Sequence, residues 1–70
     1  MATEVRAELP ATVIMIERAS GDSVRVGDLL MVLESMKMEI PVEAPVDGRC
    51  RILVAEGDGV SDGSVLAVID

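Results

Sequence analysis

Gly21-Asp22-Ser23-Val24-Arg25-Val26-Gly27-Asp28-Leu29-Leu30-Met31-Val32-Leu33-Glu34 recurs without a gap as Gly57-Asp58-Gly59-Val60-Ser61-Asp62-Gly63-Ser64-Val65-Leu66-Ala67-Val68-Ile69-Asp70, every residue 36 positions from its counterpart. Glycines coincide at Gly21 and Gly57 and at Gly27 and Gly63. Aliphatic residues coincide at Val24 and Val60, Leu30 and Leu66, Val32 and Val68, and Leu33 and Ile69. A duplicated strand-turn-strand unit cannot bury its apolar face alone, so the two copies are expected to pack on each other. The expected architecture is all-β, a two-fold-like sandwich of short strands. No stretch of 10 or more residues carries the 3.6-residue periodicity of a helix.

Working outward, Thr3 to Leu9 alternates Val5, Ala7 and Leu9 against Glu4, Arg6 and Glu8, which predicts a half-exposed strand ended by Pro10. Thr12 to Ile16 is a β-branched run and a second strand, and Ser20-Gly21-Asp22-Ser23 is a turn by composition. Val24 to Val26 is a strand stub, and Leu29 to Glu34 is a buried strand. Ile40 to Glu43 is extended and held by Pro41 and Pro45. Asp47-Gly48 then turns the chain into a strand from Arg49 to Ala55. In that strand Cys50 alternates with two exposed arginines, so the lone cysteine reads as a small core residue. No histidine exists to serve it as a base.

The two halves of the chain are joined through Glu34-Ser35-Met36-Lys37-Met38-Glu39, and Lys37 is the only lysine among 70 residues. Arginine stays protonated, whereas a lysine amine can be acylated, so the chain offers one side-chain amine nucleophile. An ordinary amine of pKa about 10.4 is neutral in about one molecule in 2,500 at pH 7, so a partner enzyme must supply an activated acyl group. Ser35 to Met38 is expected to form the tip of a hairpin. With no Gly or Asn to take positive φ, the expected geometry is a type I turn with Met36 and Lys37 central. Met36 and Met38 are either core filler or an exposed recognition patch.

Composition excludes several functions. Thirteen acids against six bases, with no Phe, Tyr or Trp, give neither a phosphate-neutralising surface nor a stacking platform for nucleic acid. Zero histidines rule out His-ligated metal and His general bases. No stretch has signal-peptide or membrane-span length, so no membrane association is expected and the expected location is the cytoplasm. Half the residues are hydrophobic, which argues for one folded domain over residues 1–70 despite a net charge of -7. A start at Met1 and an end at the last strand lead us to expect an independent subunit.

The central segment resembles the attachment motif of biotin carboxyl carrier domains, in which Met-Lys-Met, preceded by a small residue and flanked by glutamates, marks the modified lysine. The two Gly-Asp-x-Val-x-x-Gly runs and Ala44-Pro45-Val46-Asp47-Gly48 resemble the family at its spacing, so the similarity covers nearly the whole chain. Two departures are Pro10-Ala11-Thr12, where the family commonly has Pro-Gly-Thr, and Ser35 in place of the more frequent Ala. No additional "thumb" loop is present. The resemblance implies a flattened β-barrel, or barrel-sandwich hybrid, of about eight short strands with a pseudo-two-fold internal repeat. It implies covalent biotin on Lys37, with Glu34, Ser35, Met36, Met38 and Glu39 recognised by partners. Those partners would be a biotin protein ligase, which acylates Lys37 through biotinyl-AMP, a biotin carboxylase and a carboxyltransferase. The chain would contribute no catalytic group and would not be an enzyme by itself.

Three rivals differ in testable ways. A lipoyl carrier on the same fold resembles Asp-Lys-Ala around its lysine, not Met-Lys-Met. A phosphopantetheine carrier would use Gly21-Asp22-Ser23-Val24 and needs a helix starting at Ser23, where Val24-Arg25-Val26-Gly27 is a poor start. An unmodified adaptor would have no use for a single lysine between two methionines.

Overall fold

The computed structural model describes all 70 residues, Met1–Asp70. Eight strands form: β1 (Thr3–Arg6), β2 (Ala11–Ile16), β3 (Ser23–Val24), β4 (Leu29–Ser35), β5 (Met38–Glu43), β6 (Gly48–Ile52), β7 (Gly59–Val60) and β8 (Val65–Ile69). They make two four-stranded sheets, β1-β8-β6-β3 and β5-β4-β2-β7, with every pairing antiparallel. We call these the first and second sheet. They face each other as a flattened barrel with open edges, the all-β architecture expected from the repeat.

The duplication runs further than the stretch that first revealed it. Exchanging β1 with β5, β2 with β6, β3 with β7 and β4 with β8 converts one sheet order into the other. Each half therefore gives two strands to each sheet, and neither half owns a sheet. The core repeats the same relation. One cluster contains Val24, Leu30, Ala44, Cys50, Ala67 and Ile69; the other contains Val60, Leu66, Ala7, Val13, Met31 and Leu33 in the matching places. Cys50 thus occupies the place that Val13 takes in the other half, and it is 2% exposed. Full burial of a side chain such as Leu30 or Leu66 stabilises the fold by about 1.5–3 kcal/mol.

One turn is used four times. Across Ala19–Asp22 the Asp22 amide donates to the Ala19 carbonyl at 3.0 Å while the Asp22 carboxylate accepts from the Ala19 amide at 2.9 Å. Gly21 takes φ 98°, the conformation required at the third position of a type II turn. Arg25–Asp28, Ala55–Asp58 and Ser61–Ser64 repeat the pattern, with Ser64 Oγ replacing a carboxylate. This explains the recurring Gly-Asp: the glycine turns the chain, and the next side chain holds the amide of the turn's first residue.

β2, β4 and β5 run one or two residues longer than expected, beginning at Ala11, ending at Ser35 and beginning at Met38, and three other strands are cut short or shifted. β1 stops at Arg6, where its register with β8 shifts at a bulge, although Ala7 still exchanges backbone bonds with Ser64 and Gly63. β3 is Ser23–Val24, with Val26 exposed in the next turn. β6 ends at Ile52 because the chain must turn again at Ala55–Asp58. At one pole Thr3 pairs with Ile69, bringing both chain ends together. β1 runs away from that pole toward Pro10, which lies beside the β4–β5 hairpin.

Candidate functional site

The β4–β5 hairpin is the longest ladder in the molecule, pairing Leu29 with Glu43 through to Ser35 with Met38. Only Met36 and Lys37 lie outside the ladder, so the loop has two residues. Both have positive φ, 53° and 64°. This corrects the type I turn expected from composition. A two-residue connection must match the right-handed twist of its strands, and the turn that does so, type I′, needs left-handed backbone at both central residues. Here the hairpin geometry overrides residue preference. Holding an ordinary side chain in that region costs about 1–2 kcal/mol per residue.

The six residues singled out in the sequence all lie at this tip. Lys37 is exposed and takes part in no ion pair or side-chain hydrogen bond. Met36 is 91% and Met38 64% exposed, so neither is core filler, whereas Met31 is fully buried. Glu34 and Glu39 are exposed and sit directly opposite each other. Like charges so placed are destabilising, which the scaffold alone gives no reason to keep. Ser35 is partly buried, and its hydroxyl donates to the Pro10 carbonyl at 2.8 Å. That bond ties the hairpin to the link between β1 and β2. Sequence reasoning missed Pro10 as part of the site, because a backbone carbonyl 25 positions away leaves no signal in residue type.

The tip therefore offers a free amine on a short, fixed turn, flanked by two thioethers and two carboxylates. An amide on Lys37 would break no existing contact, and the surrounding side chains leave the amine open to an approaching enzyme. The residues present fit a covalently tethered acyl cofactor. Ser23, the phosphopantetheine alternative, lies in β3 opposite Arg49, and no helix begins there.

Comparison with known proteins finds relatives along the whole chain. The family described as "Biotin-requiring enzyme" matches residues 1–69. The chain is 47% identical over 70 residues to the "Biotinylated protein TB7.3 homolog" of Mycobacterium leprae (strain TN), covering 99% of each. It is 46% identical over 66 residues to the "Biotin-dependent acyl-coenzyme A carboxylase alpha3 subunit" of the same organism, covering 93% of this chain and 11% of that one. Its fold superposes on the urea carboxylase of Kluyveromyces lactis with a TM-score of 0.92 at 34% identity, over 100% of this chain and 6% of that one. The chain thus spans a small part of those carboxylases and nearly all of the small biotinylated protein. On the extent of these matches and the fold they share, the chain belongs to the family of biotinyl and lipoyl attachment domains.

Proposed function

We propose that residues 1–70 form a biotin carboxyl carrier domain, with biotin held as an amide on Lys37. The observation that carries this reading is the position of the single lysine: exposed, unpaired and central in a two-residue turn. A biotin protein ligase acylates the amine, which loses its proton and its charge. Bound there, biotin supplies a ureido nitrogen that accepts and releases a carboxyl group.

The remaining work falls to the chain. The β4–β5 ladder and the Ser35 to Pro10 hydrogen bond hold the turn at a fixed place on the scaffold. Met36, Met38, Glu34 and Glu39 give partners an apolar and acidic surface to grip. The tether keeps the cofactor at high effective concentration near a docked active site, on the order of mM for a short flexible linkage. The partners are a biotin carboxylase and a carboxyltransferase, and the setting is the cytoplasm, where the ATP-dependent loading reaction draws on its substrates. The chain acts as a carrier and performs no catalytic step itself.

The test is the intact mass of the chain co-expressed with a biotin protein ligase, beside the Lys37→Arg variant. A biotin-sized increment on the first and none on the second is expected. A lipoyl-sized increment, or an unmodified first sample, would overturn the reading.

A further inference from the structure

The internal duplication supplies its own control, because each position on the outside of one sheet has a counterpart on the other. On the first sheet the outward row is Glu4, Val68 and Arg51, in register across β1, β8 and β6. The matching row on the second sheet is Pro41, Val32 and Met15, across β5, β4 and β2. Val68 and Val32 are 9% and 8% exposed, yet neither belongs to either core cluster. Both point outward and are covered by their neighbours. On the first sheet the long stems of charged residues do the covering, with their heads in water. On the second, Met15 and Pro41 do so, and Met15 is 40% exposed with Ile14 beside it at 38%.

The row two residues further along β8 and β4 diverges in charge. Asp70 exchanges backbone bonds with Arg49 on the first sheet, at 2.9 Å in each direction. Its counterpart Glu34 sits between Thr12 and Glu39. One acid has an arginine for a neighbour; the other has a second acid. The fold is satisfied by either arrangement, since both sheets form. The shared pairing pattern therefore does not itself call for an apolar row or an acidic border.

We propose that the outer face of the second sheet, centred on Met15, Val32 and Pro41 and bordered by Glu34 and Glu39, is the docking surface for the biotin protein ligase. The ligase would meet it with an apolar patch rimmed by lysine or arginine. Two features argue for an occupant that acts on the lysine itself. The face is continuous with the Lys37 turn, because β4 and β5 lead directly into it. Its border is mainly acidic, with Glu17 and Glu43 exposed at the strands' far end and the one cation there, Arg18, already paired with Asp28, so a basic rim is the complementary one. The inference rests on the biotin reading given above and extends the recognition site beyond the six-residue tip.

The test compares wild type, Met15→Arg, Met15→Leu and Ser23→Arg as substrates of a purified biotin protein ligase. Direct binding is measured by calorimetry on the unmodified chains. Met15→Arg and Ser23→Arg change net charge equally, but Ser23 lies on the first sheet, on edge strand β3. Met15→Arg is expected to raise both KM and Kd about tenfold with kcat within about twofold, as loss of a well-packed interface residue does. Met15→Leu and Ser23→Arg should match wild type. Equal behaviour of all four chains overturns the docking surface, as does an equal rise in both arginine variants, which would mark a net-charge effect. A wild-type dimer that Met15→Arg dissociates in sedimentation would also overturn it, in favour of a second copy. Failure of wild type to gain mass would instead refute the biotin reading, so the two failures are distinguishable.

Discussion

Replacing the hairpin tip by the sequence its geometry prefers, Met36→Asn with Lys37→Gly, should make the protein more stable while destroying its modification site. Both residues lie in the left-handed region, at φ 53° and 64°. Relieving about 1–2 kcal/mol at each gives about 2–4 kcal/mol, against which the added glycine loses about 0.5–1 kcal/mol of backbone freedom on folding. A net gain of about 1–3 kcal/mol remains, which is large beside the roughly 3.5–10 kcal/mol expected for a chain of this length. Little packing is lost with it, because Met36 is 91% exposed and Lys37 makes no polar contact. For a domain of this size the gain raises the midpoint by about 5–20 °C. The assay must be calorimetry or far-UV circular dichroism, since the chain has no Trp or Tyr for fluorescence. Repeating it at high salt removes the contribution from deleting a charge near Glu34 and Glu39. An unchanged or lower midpoint would refute the claim that strain is stored in the turn. The single variant Met36→Asn keeps the lysine, and should be more stable than wild type yet a poorer ligase substrate.

Three further substitutions or treatments have expected outcomes. Ser35→Ala removes the 2.8 Å bond to the Pro10 carbonyl and should cost about 0.5–1.5 kcal/mol, with faster amide exchange over Met36 to Met38 in hydrogen-exchange measurements. Gly48→Ala would place a Cβ 2.3 Å from the Asp70 carbonyl oxygen and 2.9 Å from Ile69 Cγ2, at φ 152°. Urea unfolding should show a loss of about 3 kcal/mol or more, since overpacking and backbone strain add. Cys50, 2% exposed and packed in the core, should resist thiol reagents in the native state and react fully only after unfolding, as followed by labelling mass.

How much of this was legible in the sequence depended on whether a feature was written in residue type or in pairing. The strict offset between Gly21–Glu34 and Gly57–Asp70 gave away the duplication, because type II turns demand glycine and a short polar partner. The first halves of the repeat stayed hidden: Ala7 matches Ala44 and Val13 matches Cys50, but these positions share only smallness and lie 37 apart, out of step with the rest. The Lys37 tip was visible because a solitary lysine is a compositional fact. Its turn type was not, since the strands' twist decides it and residue preference only sets the cost. The outward-facing Val32 read as core because β4 is apolar on both faces, and only the register with Met15 and Pro41 reveals which side it covers.

The pairing of Thr3 with Ile69 places both chain ends at the pole away from Lys37. A tag, a surface anchor or a neighbouring polypeptide joined at either end would therefore leave the reactive amine facing outward on the far side. A few residues could also bridge the two ends, and the resulting ring could be reopened at one of the glycine turns. Such a circularly permuted chain would keep its lysine turn intact and could be spliced into a host protein's surface loop as a portable labelling handle.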